Sequence, residues 1–157
     1  MDLARLYDAW ASRLLAYMMT LTRDRGLAED ALHNLFVRLA TQPRTLNHSE
    51  VYLLKAARNE ALLVLRRRRR EQPLADLRLI EARPGSEPPF EAAALSAALD
   101  QIPREQAEVV LLHLHGELPF REVGEVVGIS PDTAASRYRY AIARLQTILE
   151  PWISKKA

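Results

Sequence analysis

The sequence predicts an all-α protein: two small helical domains joined by a Pro-rich linker, the second containing a helix-turn-helix. Three observations carry that expectation. Apolar residues recur three and four apart along the periodic stretches, and no run alternates with the period of two that a half-buried strand requires. Between Gln72 and Pro89 the periodicity fails and Pro73, Pro84, Gly85, Ser86, Pro88 and Pro89 cluster. The tetrapeptide Gly128-Ile129-Ser130-Pro131 sets a left-handed turn residue just before an N-cap serine and a proline at the first helical position.

Taken in order, Leu3, Leu6, Tyr7, Trp10, Leu14, Tyr17, Met18 and Leu21 make residues 2–22 one amphipathic helix, which Asp24 and Gly26 are expected to break. A second helix is expected over about 28–40, with Ala31, Leu32, Leu35, Phe36 and Leu39 inward and Glu29 and Asp30 near its positive end, until Pro43 forbids continuation. Asn47 and Glu50 stand three apart as a capping box, opening a Leu- and Ala-rich helix from Val51 to about Arg70. After the linker, helices are expected over about 90–101, 104–115, 120–127 and 131–149. The resulting boundaries are residues 1–71 for the first domain, 72–91 for the linker and 92–157 for the second domain. Trp10, Tyr17 and Phe36 lie on helical stripes and are expected in the core.

Composition narrows the chemistry. A chain of 157 residues that is 48% apolar and 27% charged is globular, and it is long enough for one domain or two small ones. It contains no cysteine, which removes disulfides, cysteine zinc sites and thiol catalysis. His113 and His115, two apart on a helix, point to different faces and suit no shared metal; no cofactor is expected. Gly-rich phosphate loops, nucleophile elbows and His-Glu-X-X-His spacing are missing from the sequence, and Asp132 with Ser136 shares a helix face but no histidine, so a non-enzyme is expected. No run of about 18 apolar residues suggests membrane insertion, and the N-terminus lacks the basic-then-apolar order of a signal peptide, so the cytoplasm is the expected compartment.

Charge is unevenly placed. Residues 1–72 carry 13 basic and 8 acidic groups, with five of the former in Arg66 to Arg70, whereas residues 99–157 carry 7 and 8. Within that second half, Arg137, Arg139 and Arg144 occupy a stretch, 133–149, that has no acid. Two basic surfaces in a chain of net charge +2 suit a polyanion gripped at two places. Five consecutive arginines repel one another, which favours a nearby polyanion over a merely solvated helix end.

The segment "FREVGEVVGISPDTAASRYRYAIARL" gathers these features. Val123, Val126 and Val127 face inward on a short helix, Gly124 allows close approach of another helix, and Ile129 plugs the corner. The last helix would bury Ala134, Tyr138, Ala141 or Ile142, and Leu145. That phase leaves Asp132, Ala135, Ser136, Arg139 and Tyr140 on or near the outer face, with Ser130 before them as a further candidate DNA contact, Arg137 and Arg144 placed for phosphates and Arg139 for a bidentate guanine contact. A helical hairpin with an arginine-rich solvated face is the alternative.

These residues resemble a family. "ALDQIPREQAEVVLLHLHGELPFREVGEVVGISPDTAASRYRYAIARL" is similar to the fourth conserved region of bacterial RNA polymerase sigma factors of the extracytoplasmic-function (ECF) type, and "AEDALHNLFVRL" and "YLLKAARNEALLVLRRRRR" resemble the second. The resemblance covers about residues 5–70 and 92–149. It implies a promoter-specificity factor whose partners are core RNA polymerase and promoter DNA, with an anti-sigma factor as a further partner common in the family. It implies polymerase binding by Asp30, Leu32, His33, Asn34, Leu35 and Phe36, and capture of the downstream promoter element as single strand by Tyr52, Lys55, Arg58, Asn59, Arg66, Arg67 and Arg68. The last helix would read the upstream element as duplex. Departures stand at His33-Asn34 (usually Gln-Glu), Tyr52 (usually Trp), Leu63-Val64 (often polar), Pro119 (often Ser) and Ala135 (often Lys or Arg). The rival readings are a stand-alone helix-turn-helix regulator and a sigma-mimicking protein-interaction module.

Overall fold

A computed structural model describes residues 2–42, 49–71 and 90–154. Among these the structure is helical, without a strand. The helices are α1 (Leu3–Thr22), α2 (Arg25–Thr41), α3 (Glu50–Glu71), α4 (Phe90–Asp100), α5 (Arg104–Val110), a π-helical turn (Leu111–His115), α6 (Phe120–Val127) and α7 (Pro131–Ser154). By contacts the chain divides into two compact units, residues 1–80 with 125–128 and residues 81–124 with 129–157. Most of the expected linker, 72–89, lies outside the described residues, and Phe90 already opens α4.

In the first unit α1, α2 and α3 pack pairwise around Leu14, Tyr17, Met18, Leu35, Leu39 and Leu53, all buried. Asp2 caps α1 by accepting from the Arg5 N–H at 2.8 Å. The break after α1 is tighter than expected. Arg23 takes the left-handed conformation at φ 55° and bonds back to the Met19 carbonyl, and Asp24 at once caps α2 by accepting from Leu27 N–H at 3.0 Å. Gly26 therefore sits inside α2 rather than breaking it, and the helix begins at Arg25, earlier than expected. At α3 the cap is Ser49, whose hydroxyl accepts from Tyr52 N–H at 3.2 Å; a helix starting at Glu50 puts its N-cap at 49, and Asn47, with Pro43, lies outside the described residues. The Glu60 carboxylate on α3, 3% exposed, is held by the Arg38 guanidinium of α2, which is 60% exposed.

Phe36 and Tyr17 are core residues as expected, but Trp10 is half-buried at the rim, where the Arg13 guanidinium lies 4.6 Å from its ring. Arg13 also pairs with Glu50 at 2.7 Å, tying α1 to the start of α3.

The second unit packs α4 and α5 on α7 around Ala98, Ile102, Ala107, Val110, Ala141 and Leu145, with Tyr138, Ile142, Ile148 and Leu149 closing the edge. The helix expected from Arg104 to His115 changes pitch. After Val110 the chain widens into the π-turn, where Gly116 N–H reaches the Leu111 carbonyl and Leu118 N–H the Leu112 carbonyl. A Cβ on Gly116 would stand 2.7 Å from the Leu112 oxygen, so glycine is required by space, whereas the left-handed residue is its neighbour Glu117, at φ 57°. At the other end α7 runs past Leu149 to Ser154, taking Pro151 within its last turns at the loss of one helical hydrogen bond.

Candidate functional site

The turn between α6 and α7 is built from its glycines and its cap. Gly128 adopts φ 85° with open space around it, the left-handed residue that ends α6. Ile129 N–H bonds the Gly124 carbonyl at 3.0 Å, and a Cβ on Gly124 would press into the Ile129 carbonyl oxygen. The close approach at Gly124 is thus made by the turn's own backbone, not by another helix. Ser130 accepts from Thr133 N–H at 3.1 Å and donates to Thr133 Oγ1 at 2.9 Å, so its hydroxyl serves as the cap of α7 rather than as a free hand for a ligand.

From that start α7 turns Ala134, Ala141 and Leu145 fully inward and Tyr138 and Ile142 partly so. Asp132, Arg139, Tyr140 and Arg144 are exposed, Tyr140 at 67%, while Ala135, Ser136 and Arg137 are half-buried beside them. Arg139 donates to Ser136 Oγ at 3.2 Å, which lays its guanidinium back toward the N-terminal end of the helix. The outer face carries three cations, one acid and a phenol. That set can bind phosphate oxygens and base edges and has no nucleophile–base pair.

In the first unit α3 presents a second basic face. Tyr52, at 41% exposure, Lys55, Asn59, Leu63, Arg66 and Arg70 are exposed at spacings of three, four and seven, one stripe along a 3.6-residue helix. The stripe joins apolar platforms, an amide and cations, the groups that unstacked bases and their phosphates engage. Leu63 is the member the sequence reading left out; its spacing, four after Asn59 and three before Arg66, was the signal. Arg67 is exposed at the stripe's edge, and Arg58 is half-buried. Arg68 is not on this face: it points toward α2 and lies 3.4 Å from Asp24 Oδ2, the carboxylate that caps α2.

The residues expected at the polymerase split into two groups. Asp30, His33 and Asn34 line an open hollow of about 570 Å³ on α2 and α3, with Leu27, Val64, Arg67, Arg68 and Glu71. Leu32, Leu35 and Phe36 are instead buried in the three-helix core, so none of their side chains is available to a protein partner. Helical phase is the reason: a residue that faces α1 and α3 cannot also face outward. Among the described residues no group of His, Asp and Glu is placed to hold a metal, and no helix is long and apolar enough to cross a membrane.

Comparison with known proteins finds likeness to this helical fold and to its helix-turn-helix. The family model described as "Sigma-70, region 4" covers residues 92–145, from α4 into α7. The ECF RNA polymerase sigma factor SigM of Bacillus subtilis (strain 168) is 23% identical over 155 residues, spanning 94% of this chain and 95% of SigM. Over nearly its whole length the chain is similar to an ECF sigma factor. Its fold is shared with the sigma factor RpoE of Bartonella quintana, solved in complex with the anti-sigma factor NepR, at TM-score 0.77, 22% identity and coverage of 95% of this chain and 97% of that one. The region-four match closes at Leu145, the last fully inward residue of α7, so it contains the whole capped and arginine-bearing part of the helix.

Proposed function

We propose that this chain is a sigma factor, conferring promoter selectivity on core RNA polymerase through two DNA-facing helices. In this reading residues 1–71 are the polymerase-binding and downstream-element domain, and residues 92–157 are the upstream-element domain. The α3 stripe of Tyr52, Lys55, Asn59, Leu63 and Arg66 takes the downstream element as single strand, with Arg58, Arg67 and Arg70 at its border. The α7 face reads the upstream element as duplex, Arg139 and Tyr140 toward base edges and Arg137 and Arg144 toward phosphates. Polymerase contact falls to Asp30, His33 and Asn34 on the outer side of α2. The protein itself makes and breaks no bonds; its work is binding, in the cytoplasm where polymerase and chromosome are. Both basic faces are open to a protein that would mask them, and the fold is one that in RpoE accepts an anti-sigma factor.

The observation that carries this reading is the outer face of α7: three arginines and no acid between Asp132 and Glu150, on the second helix of a capped helix-turn-helix. The test is binding of the purified chain to sigma-free core RNA polymerase and, separately, to duplex DNA at rising salt. The chain is expected to bind core tightly, and Asp30→Ala to weaken that binding several-fold with helicity unchanged. Absence of core binding, with salt-sensitive duplex affinity retained, would make the chain a stand-alone helix-turn-helix regulator.

A further inference from the structure

In its N-terminal half α7 has few large inward side chains of its own to fix its roll, Ile142, Leu145, Ile148 and Leu149 packing further toward its C-terminus. Its inward residues on either side of the arginine cluster are Ala134 and Ala141, both fully buried, and alanines offer little shape to resist rotation about the helix axis. Between them the ring turned inward is Tyr138, flanked in sequence by Arg137 and Arg139. Tyr138 is held from outside its own helix. The imidazole of His113 meets it edge-on at 4.6 Å and 74°, stacks on Phe120 at 4.0 Å and 15°, and its Nδ1 donates to the Leu118 carbonyl at 2.8 Å. Phe120 and Tyr138 close the triangle at 5.6 Å. One ring therefore touches the loop before α6, the first residue of α6 and the middle of α7. His113 lies in the π-turn, whose altered pitch changes the direction in which residues after Val110 project.

We propose that His113 is a positioning residue for sequence reading: through Tyr138 it keys the roll of α7, and so sets which of Ser136, Arg139 and Tyr140 reach base edges. The inference rests on α7 being the DNA-reading helix. Phosphate contacts tolerate a small roll better because a long arginine side chain can re-aim among a phosphate's equivalent oxygens, whereas a bidentate base contact is fixed to one pair of atoms. Loss of the key therefore lowers sequence preference more than overall affinity.

The test is selection from a random duplex pool by the full chain assembled with core RNA polymerase, repeated with two variants. His113→Asn retains a donor near the position of Nδ1 and removes the ring; His113→Phe retains the ring and removes the donor. Enrichment of the preferred upstream sequence is expected to fall about tenfold in His113→Asn, the loss of one base contact, with the salt slope of duplex binding unchanged. His113→Phe restores most of the preference. Should His113→Asn fail to fold, Phe120→Leu removes the stacking partner and carries the same expectation. Folded variants that select the same sequence as strongly as the unaltered chain, with only their melting temperatures lowered, would overturn the positioning role. Absence of any enriched sequence with the unaltered chain would overturn the DNA-reading role of α7 and this inference with it.

Discussion

Replacing Gly124 by alanine sets two physical effects against each other. Helix propensity alone favours alanine by about 1 kcal/mol at an interior helical position. Against that stands the turn: the new Cβ would press into the Ile129 carbonyl oxygen and lie 3.5 Å from the carbonyl carbon of Ser130, both backbone atoms that cannot swing aside. Overpacking of this kind costs about 1–3 kcal/mol, and opening the turn to relieve it sacrifices the Ile129 N–H bond to the Gly124 carbonyl, worth about 1 kcal/mol. The net expectation is destabilisation of the second domain by about 1–3 kcal/mol, a fall in its melting temperature of about 5–20 °C. Thermal unfolding of the full chain followed by circular dichroism measures this, and Gly128 supplies the contrast. There φ is 85° in open space, so Gly128→Ala costs about 1–2 kcal/mol by conformation alone and Gly128→Asn recovers part of it, while Gly124→Asn recovers nothing. A Gly124→Ala variant as stable as the unaltered chain, or more so, would refute the close approach.

Four further outcomes are expected. Glu117→Gly should stabilise the second domain by about 0.5–1 kcal/mol, seen as a raised urea midpoint, because the residue sits at φ 57°. Arg38→Ala should destabilise the first domain by about 1–3 kcal/mol in the same assay, since it strands the buried Glu60 carboxylate, the cost being limited by the solvent at the arginine's side. Arg139→Ala should relax preference at one position of the upstream element by about 1–3 kcal/mol in competition binding; equal weakening on every sequence would reduce Arg139 to a phosphate contact. Arg66→Ala should lower the salt slope of single-strand binding by about 1, and an unchanged slope would remove it from the interface.

Apolar spacing was enough to reveal the helices, because the long ones, α1, α2, α3 and α7, each have one buried stripe and the stripe is local information. Their ends were less legible, and for identifiable reasons. Asp24 reads equally as a helix breaker and as a cap, and only the left-handed Arg23 beside it decides for the cap, drawing Gly26 into α2. The π-turn left no periodic signature, since five residues are too few to register a change of pitch; its marks in the sequence are Gly116, which leaves room for the Leu112 carbonyl, and the ring of His113 three residues earlier. The α7 face was legible because cap, turn glycine and arginine spacing all lie within one short stretch. The polymerase-facing set was not fully so: Leu32, Leu35 and Phe36 were expected to serve both core and partner, and packing of three helices leaves them only the first role. Arg68 was grouped with its neighbours by sequence but is drawn to Asp24 across the helix pair, a contact no local pattern announces.

The most direct measurement is transcription by sigma-free core RNA polymerase from a genomic promoter library, with and without the purified chain. Initiation at a defined set of promoters only when the chain is present, sharing an upstream and a downstream element, with preference at one upstream position relaxed in Arg139→Ala, is the predicted result. The same transcripts with and without the chain, while the chain alone still binds duplex DNA, would contradict the account.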